Sequence, residues 1–157
     1  MFTIPQWICP TSDAGFALIS GSHLVRYDSE GAVAWNKTFE NTRLKRVIQT
    51  ADGEYVLTGS LVSADNEDKG TIIKTDENGN VLWNKTSDNG KLYAVVEFEG
   101  GYAFAGGLGG LMWFAETDVD GNFMVNQTYM QGFAYSILKT KDGSFIVSGS
   151  DQSNQSN

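Results

Sequence analysis

The side chains able to do chemistry in this chain are few, and most of them recur in turns. His23 is the only histidine and Cys9 the only cysteine. A catalytic constellation needs convergent groups with tuned proton affinities, and His23, at the start of a β-type run, has no Gly-x-Ser-x-Gly elbow elsewhere to complete a hydrolytic triad. One cysteine excludes an internal disulfide and any site built from several cysteines. Carboxylates are more plentiful, but Asp28, Asp76, Asp118, Asp52 and Asp142 each open a turn ending in glycine. An aspartate at the first position of a turn caps backbone amides, so its repetition reads as structure. Asp118-Val119-Asp120-Gly121 has the opening of a calcium loop without the later bidentate acid such a loop requires, and no metal or cofactor is expected.

Two further groups have the chemistry of recognition. Ser63-Ala64-Asp65-Asn66-Glu67-Asp68-Lys69-Gly70 is an acidic connection, and Asp65, Asn66, Glu67 and Asp68 are its candidate binding residues. Asn36-Lys37-Thr38, Asn84-Lys85-Thr86 and Asn126-Gln127-Thr128 fit the N-glycosylation pattern at Asn36, Asn84 and Asn126. The first reads more simply as a solvated loop, and the second equally as chance multiplied by repetition.

That repetition fixes the elements holding these residues. Asp28-x-x-Gly31-x-x-x-Trp35 returns as Asp76-x-x-Gly79-x-x-x-Trp83 and, with valine for tryptophan, as Asp118-x-x-Gly121-x-x-x-Val125. Val47 to Gly59 matches Ile137 to Gly149, two repeats later, with looser copies at 13–20 and 95–106. Each unit holds four short runs rich in Val, Ile, Phe, Tyr and Thr, split by Asp-Gly or Asp-x-x-Gly turns, without helical periodicity. In the second unit these strands, A to D, span about 43–50, 54–60, 70–76 and 80–86. Four antiparallel strands in roughly 40–45 residues make a propeller blade. A sandwich would have no need of the same Asp, Gly and Trp in each copy, so the expected fold is an all-β β-propeller. The blades are expected at 5–39, 43–87 and 91–129, with strands A and B of a fourth at 133–150, giving one repeat domain over 1–150 and a polar tail at 151–157.

The Asp-x-x-Gly-x-x-x-Trp unit resembles the tryptophan-docking motif of PQQ-type quinoprotein propellers, one residue shorter between Asp and Gly. The whole repeat, from Asp52-Gly53 through Lys74-Thr75-Asp76 to Trp83-Asn84-Lys85-Thr86, resembles the tandem propeller repeats of archaeal and bacterial surface or secreted proteins. That resemblance implies indoles of Trp35 and Trp83 packed between neighbouring blades, and a doubt over the third repeat, where Val125 stands for Trp and Trp113 falls on strand C.

Composition agrees with these expectations. The 157 residues are 41% hydrophobic and 19% charged, with 18 glycines and 2 prolines, as short strands with tight turns require. A net charge of −8 argues against a nucleic-acid partner, and no apolar run approaches the roughly 20 residues of a membrane helix. Equivalent aspartates lie 48 residues apart between the first two repeats (28 to 76) and 42 between the next two (76 to 118), the B–C connection absorbing the difference. Binding commonly lives on variable loops held by a rigid scaffold. The expected function is therefore a non-catalytic binding or structural module of a cell-surface or secreted, extracellular protein, with a protein or glycan ligand. Self-association is expected wherever blades are left open. The alternative is an enzyme on a propeller scaffold, quinoprotein-like or polysaccharide-acting, for which the sequence offers no basic cluster to hold an acidic quinone.

Overall fold

The computed structural model describes residues 4–62, 69–87 and 90–151. Those residues form thirteen β-strands and no helix. The first unit holds β1 (Trp7–Pro10), β2 (Phe16–Ser20), β3 (His23–Tyr27) and β4 (Val33–Thr38); the second holds β5 (Thr42–Gln49), β6 (Tyr55–Leu61), β7 (Lys69–Thr75) and β8 (Val81–Thr86). The third opens with β9 (Lys91–Phe98), β10 (Gly101–Leu108) and β11 (Leu111–Asp118), and the remainder is β12 (Phe123–Lys139) and β13 (Phe145–Asp151). Within each sheet neighbours in chain order pair antiparallel, giving β1-β2-β3-β4 and β5-β6-β7-β8 as separate four-stranded sheets and β9 to β13 as a five-stranded one.

The first strand of each sheet touches the first strand of the next, β1 to β5, β5 to β9 and β9 to β12, which places strand A innermost. Apolar side chains between the sheets form three buried clusters, one at each junction. Ala17, Ile19 and Leu24 meet Leu44, Val47, Tyr55 and Leu57 at the first. Val56 and Ile72 meet Leu92, Tyr102, Phe104 and Trp113 at the second, and Ala94, Ala103 and Ala105 meet Ala134 and Ile137 at the third. Strands thus bury both faces, as the near-continuous burial along β6 and β10 records. Radially packed four-stranded sheets of this kind are the blades the repeat calls for.

At the third junction the chain departs from the repeat. Strand D of the third blade and strand A of the fourth, expected as separate runs, are one 17-residue strand, β12. Its first half pairs with β11 as far as Gln131, opposite Leu111, and its second half pairs with β13 from Gly132, opposite Asp151. Gly132, at φ 138°, marks the change of partner.

One irregularity repeats in every later blade. The A–B register slips between Leu44 and Arg46, again beside Ala94, and between Ala134 and Ser136. The extra residue bends the innermost strand. Opposite it stands Gly59, Gly106 or Gly149, where a Cβ would run into the carbonyl oxygen of Arg43, Lys91 or Phe133. Glycine is required there by the close approach of two backbones.

Candidate functional site

The repeated aspartates serve their own turns. Asp28 Oδ1 accepts the amides of Glu30 and Ala32 at 2.9 and 2.8 Å. Asp76 Oδ1 accepts those of Asn78 and Asn80 at 2.9 and 2.8 Å, and Asp118 Oδ1 those of Asp120 and Asn122 at 3.0 and 2.8 Å. In the second and third copies the following asparagine also donates its side-chain amide to Oδ2. These bonds, led by that from the asparagine side chain, hold Asp76 and Asp118 below the usual carboxylate range.

The second and third of these turns also receive the tryptophan of the blade before. A Cβ placed on Gly79 would lie 2.9 Å from the Trp35 ring, and one on Gly121 would lie 2.8 Å from the Trp83 ring. Trp83 Nε1 donates to the Val119 carbonyl at 3.2 Å, and Lys37 Nζ to Asn80 Oδ1 at 2.9 Å. The indole edges then meet a tyrosine of the next blade, Trp35 on Tyr55 with ring centres 5.7 Å apart and Trp83 on Tyr102 at 6.3 Å.

Behind each indole lies a buried cation that the sequence reasoning passed over. Arg26, two residues before Asp28, bonds Tyr55 Oη through Nε at 2.9 Å and pairs with Asp13. Lys74, two before Asp76, pairs with Glu54 at 2.7 Å and lies 5.5 Å from the Tyr102 ring centre. Burial works to lower the Lys74 proton affinity, but its bonds to Glu54 and Tyr102 outweigh that and hold it above the ordinary lysine range. Each buried cation thus links a carboxylate of its own blade to a tyrosine of the next.

At the third junction every one of these positions changes. Glu116 stands where Arg26 and Lys74 stand, Val125 where the tryptophans stand, and Phe145 where Tyr55 and Tyr102 stand. Gln49 and Glu97, which accept the amides of Ser12 and Ala51 in the preceding blades at 2.8 and 2.9 Å, are replaced by Lys139. Two of the changed positions, Glu116 and Phe145, line a cleft of about 680 Å³ between β11, β12 and β13, together with Trp113, Phe114, Tyr129 and Val147, among others. Apolar clefts with a few polar groups are the usual form of a ligand site.

Trp113 settles the doubt over the third repeat. Its indole is buried at 1% exposure, packs back onto the second blade beside Gly70 and Leu92, and donates from Nε1 to Asn126 Oδ1 at 2.7 Å. It forms the floor between blades two and three.

Of the residues singled out in the sequence, Asp28, Gly31, Trp35, Asp76, Gly79, Trp83, Asp118 and Gly121 stand at the turns and docking points described. His23 opens β3 with Nδ1 3.0 Å from Thr38 Oγ1. Asn36, Asn84 and Asn126 are exposed on the last strand of their blades. Asp65, Asn66, Glu67 and Asp68 lie outside the described residues. Among the described residues no group of three or more His, Cys, Asp or Glu is placed to hold a metal ion, and no helix is long and apolar enough to cross a membrane.

No family model matches the chain, and no curated protein sequence does. Solved structures do. A protein of unknown function from Bacteroides caccae superposes with a TM-score of 0.68 at 13% identity, over 91% of this chain and 52% of that one. The Dos1 propeller superposes with a TM-score of 0.67 at 10% identity, over 96% of this chain and 42% of that one. The chain thus spans about half the length of either. Likeness at such low identity concerns architecture alone, and together with the three junctions it makes this chain a β-propeller of about three and a half blades.

Proposed function

We propose that the chain is a non-catalytic binding or structural propeller module of a cell-surface or secreted protein, and that its ligand is a protein or a glycan. One observation carries this reading: the polar and aromatic positions the repeat shares join blades at the first two junctions, whereas at the third the same positions change together and two of them, Glu116 and Phe145, line an aromatic cleft. A rigid scaffold with one altered junction is how a repeat protein acquires a binding surface. The exposed Asn36 and Asn84, on outer strands of successive blades, fit a protein that meets glycosylation machinery.

The test is a panel of glycans and extracellular proteins, screened against the purified chain and a Phe145→Ala variant. A partner retained by the first and lost by the second supports the reading. Absence of any partner together with a cytoplasmic native location overturns it, as does turnover of a substrate.

A further inference from the structure

A cavity stands at the first junction where the second holds a ring. It measures about 300 Å³, and its walls include Phe39, Glu40, Thr71, Val81, Asn84 and Thr86. The blades on either side of it each have all four strands. Thr71, Val81, Asn84 and Thr86 stand where blade three has Trp113, Phe123, Asn126 and Thr128, 42 residues on (71 to 113). In blade three the Trp113 indole lies tilted over Phe123, ring centres 6.5 Å apart, and donates to Asn126. Threonine and valine remove both rings from blade two. Phe39, where the second junction has Ser87, returns one ring from the opposite wall. The exchange leaves a space, with Asn84 on its wall.

Its polar groups specify what would fit. Thr42 Oγ1 donates to the Phe39 carbonyl at 2.7 Å, and Thr71 Oγ1 to that of Lys85 at 3.4 Å. The Asn84 carboxamide and the Glu40 carboxylate are exposed, and neither has a hydrogen-bond or ion-pair partner among the described residues. Asn84 thus offers the acceptor that Asn126 gives to an indole N–H. Glu40, lining the same small space, offers a counter-ion for an ammonium. Apolar walls with a few convergent polar groups, around a space at the small end of the usual range, are the form of a small-molecule site.

We propose that this cavity binds a small aromatic amine of the indole-ethylamine kind, a flat ring bearing an N–H and a short ammonium arm. The ring lies against Phe39 and Val81. Its N–H donates to Asn84 as that of Trp113 does to Asn126, and the ammonium pairs with Glu40. The site is separate from the cleft of the third junction and does not rest on the module reading above.

The probe is tryptamine, titrated into the unglycosylated chain by calorimetry, with amide chemical shifts locating the site. The expected result is saturable one-to-one binding that moves the amides of Thr42, Thr71 and Thr86. The benzothiophene isostere of tryptamine lacks the ring N–H and should bind about fivefold more weakly, the worth of one hydrogen bond; Asn84→Leu should make the two equal. Glu40→Gln should weaken tryptamine about threefold, as suits an exposed ion pair, and leave indole unchanged. Thr71→Trp restores the ring of blade three and should abolish binding; where that variant does not fold, the two substitutions at exposed residues decide. Failure to saturate, equal affinity of the parent chain for tryptamine and its isostere, or shifts confined to the other junctions overturns the inference. So does undiminished binding to a folded Thr71→Trp chain. A glycan on Asn84 of the native protein would take the mouth of the cavity, and would remove this site while leaving the module reading standing. Loss of a panel partner on Phe145→Ala bears on the third junction alone, whatever tryptamine does.

Discussion

Gly31 and Gly121 occupy the same repeat position with φ of +84° and +77°, yet their neighbours differ: nothing lies within 4 Å of a Cβ on Gly31, while one on Gly121 would lie 2.8 Å from the Trp83 ring. Gly31→Ala therefore isolates the backbone cost of a left-handed alanine, about 1–2 kcal/mol. Gly121→Ala carries the same cost and adds the overlap with a half-buried indole held by Tyr102 and by its bond to Val119, an overpacking of about 1–3 kcal/mol. Each kcal/mol moves the melting temperature of a chain this size by about 2–4 °C, so the third-blade alanine should melt several degrees below the first-blade one. The decisive comparison is the cycle with Trp83→Ala, which alone costs about 3 kcal/mol, the lower end for a buried tryptophan because this one is half exposed. Without the indole, Gly121→Ala should cost no more than Gly31→Ala, a coupling of about 1–3 kcal/mol. Urea denaturation followed by circular dichroism reads all four variants and avoids dependence on the mutated fluorophore. Additivity within about 0.5 kcal/mol, or equal cost for the two glycines in the parent chain, would refute docking of Trp83 on the next blade's turn.

Other expectations follow from the same contacts. Because their turns hold Asp76 and Asp118 below the usual range when folded, the unfolded chain binds protons first as acid is added; stability is full above about pH 4, the ordinary aspartate value, and falls as pH drops toward the folded values. Asp76→Ala and Asp118→Ala should each flatten that decline in a series of acid urea melts, and an unchanged slope would deny the turn bonds this role. Glu54→Leu removes the nearer carboxylate of the buried Lys74, leaving Asp52 at 4.0 Å, and should cost about 1–3 kcal/mol, whereas the double change with Lys74→Met should recover most of it; thermal melts of the three variants distinguish the outcomes. Val56→Ala, at a fully buried position, should cost about 2 kcal/mol, and Ile146→Ala, at the same position on the open half-blade, under about 1 kcal/mol; equal losses would mean that the face of β13 is covered in solution.

The blades were legible because their turns are chemically explicit. An Asp capping its own amides, a glycine at positive φ and an indole seven residues after the Asp leave a signature that spacing alone recovers. Strand A as the inner strand followed from the resemblance, and the chain of contacts from β1 through β5 and β9 to β12 agrees. What escaped notice has a physical cause as well. Arg26 and Lys74 were charges on alternating strands, which a sequence presents as solvent-facing, although both stand two residues before a repeated aspartate, a spacing that could have exposed them. The cleft brings Glu116 of β11 together with Tyr129 of β12 and Phe145 of β13; each is an ordinary residue in its own strand and gains meaning only when the fold sets them side by side. The unbroken course of β12 was hidden because Met130-Gln131-Gly132 reads as a connection, whereas an extended backbone simply runs through it.

That unbroken strand has a mechanical consequence. The half-blade hangs from the rest of the molecule by a backbone already in its outstretched form, and its other attachment is the cluster around Ala134 and Ile137. Tension applied beyond Asp151, which pairs opposite Gly132, would first unzip β13 from the second half of β12 and then strip residues 132–151 away, releasing about 70 Å of chain. Gly132 is the natural stopping point, because there β12 turns its ladder to β11. Rupture under load should thus come in steps, the last unit giving way while three intact ones keep their dimensions.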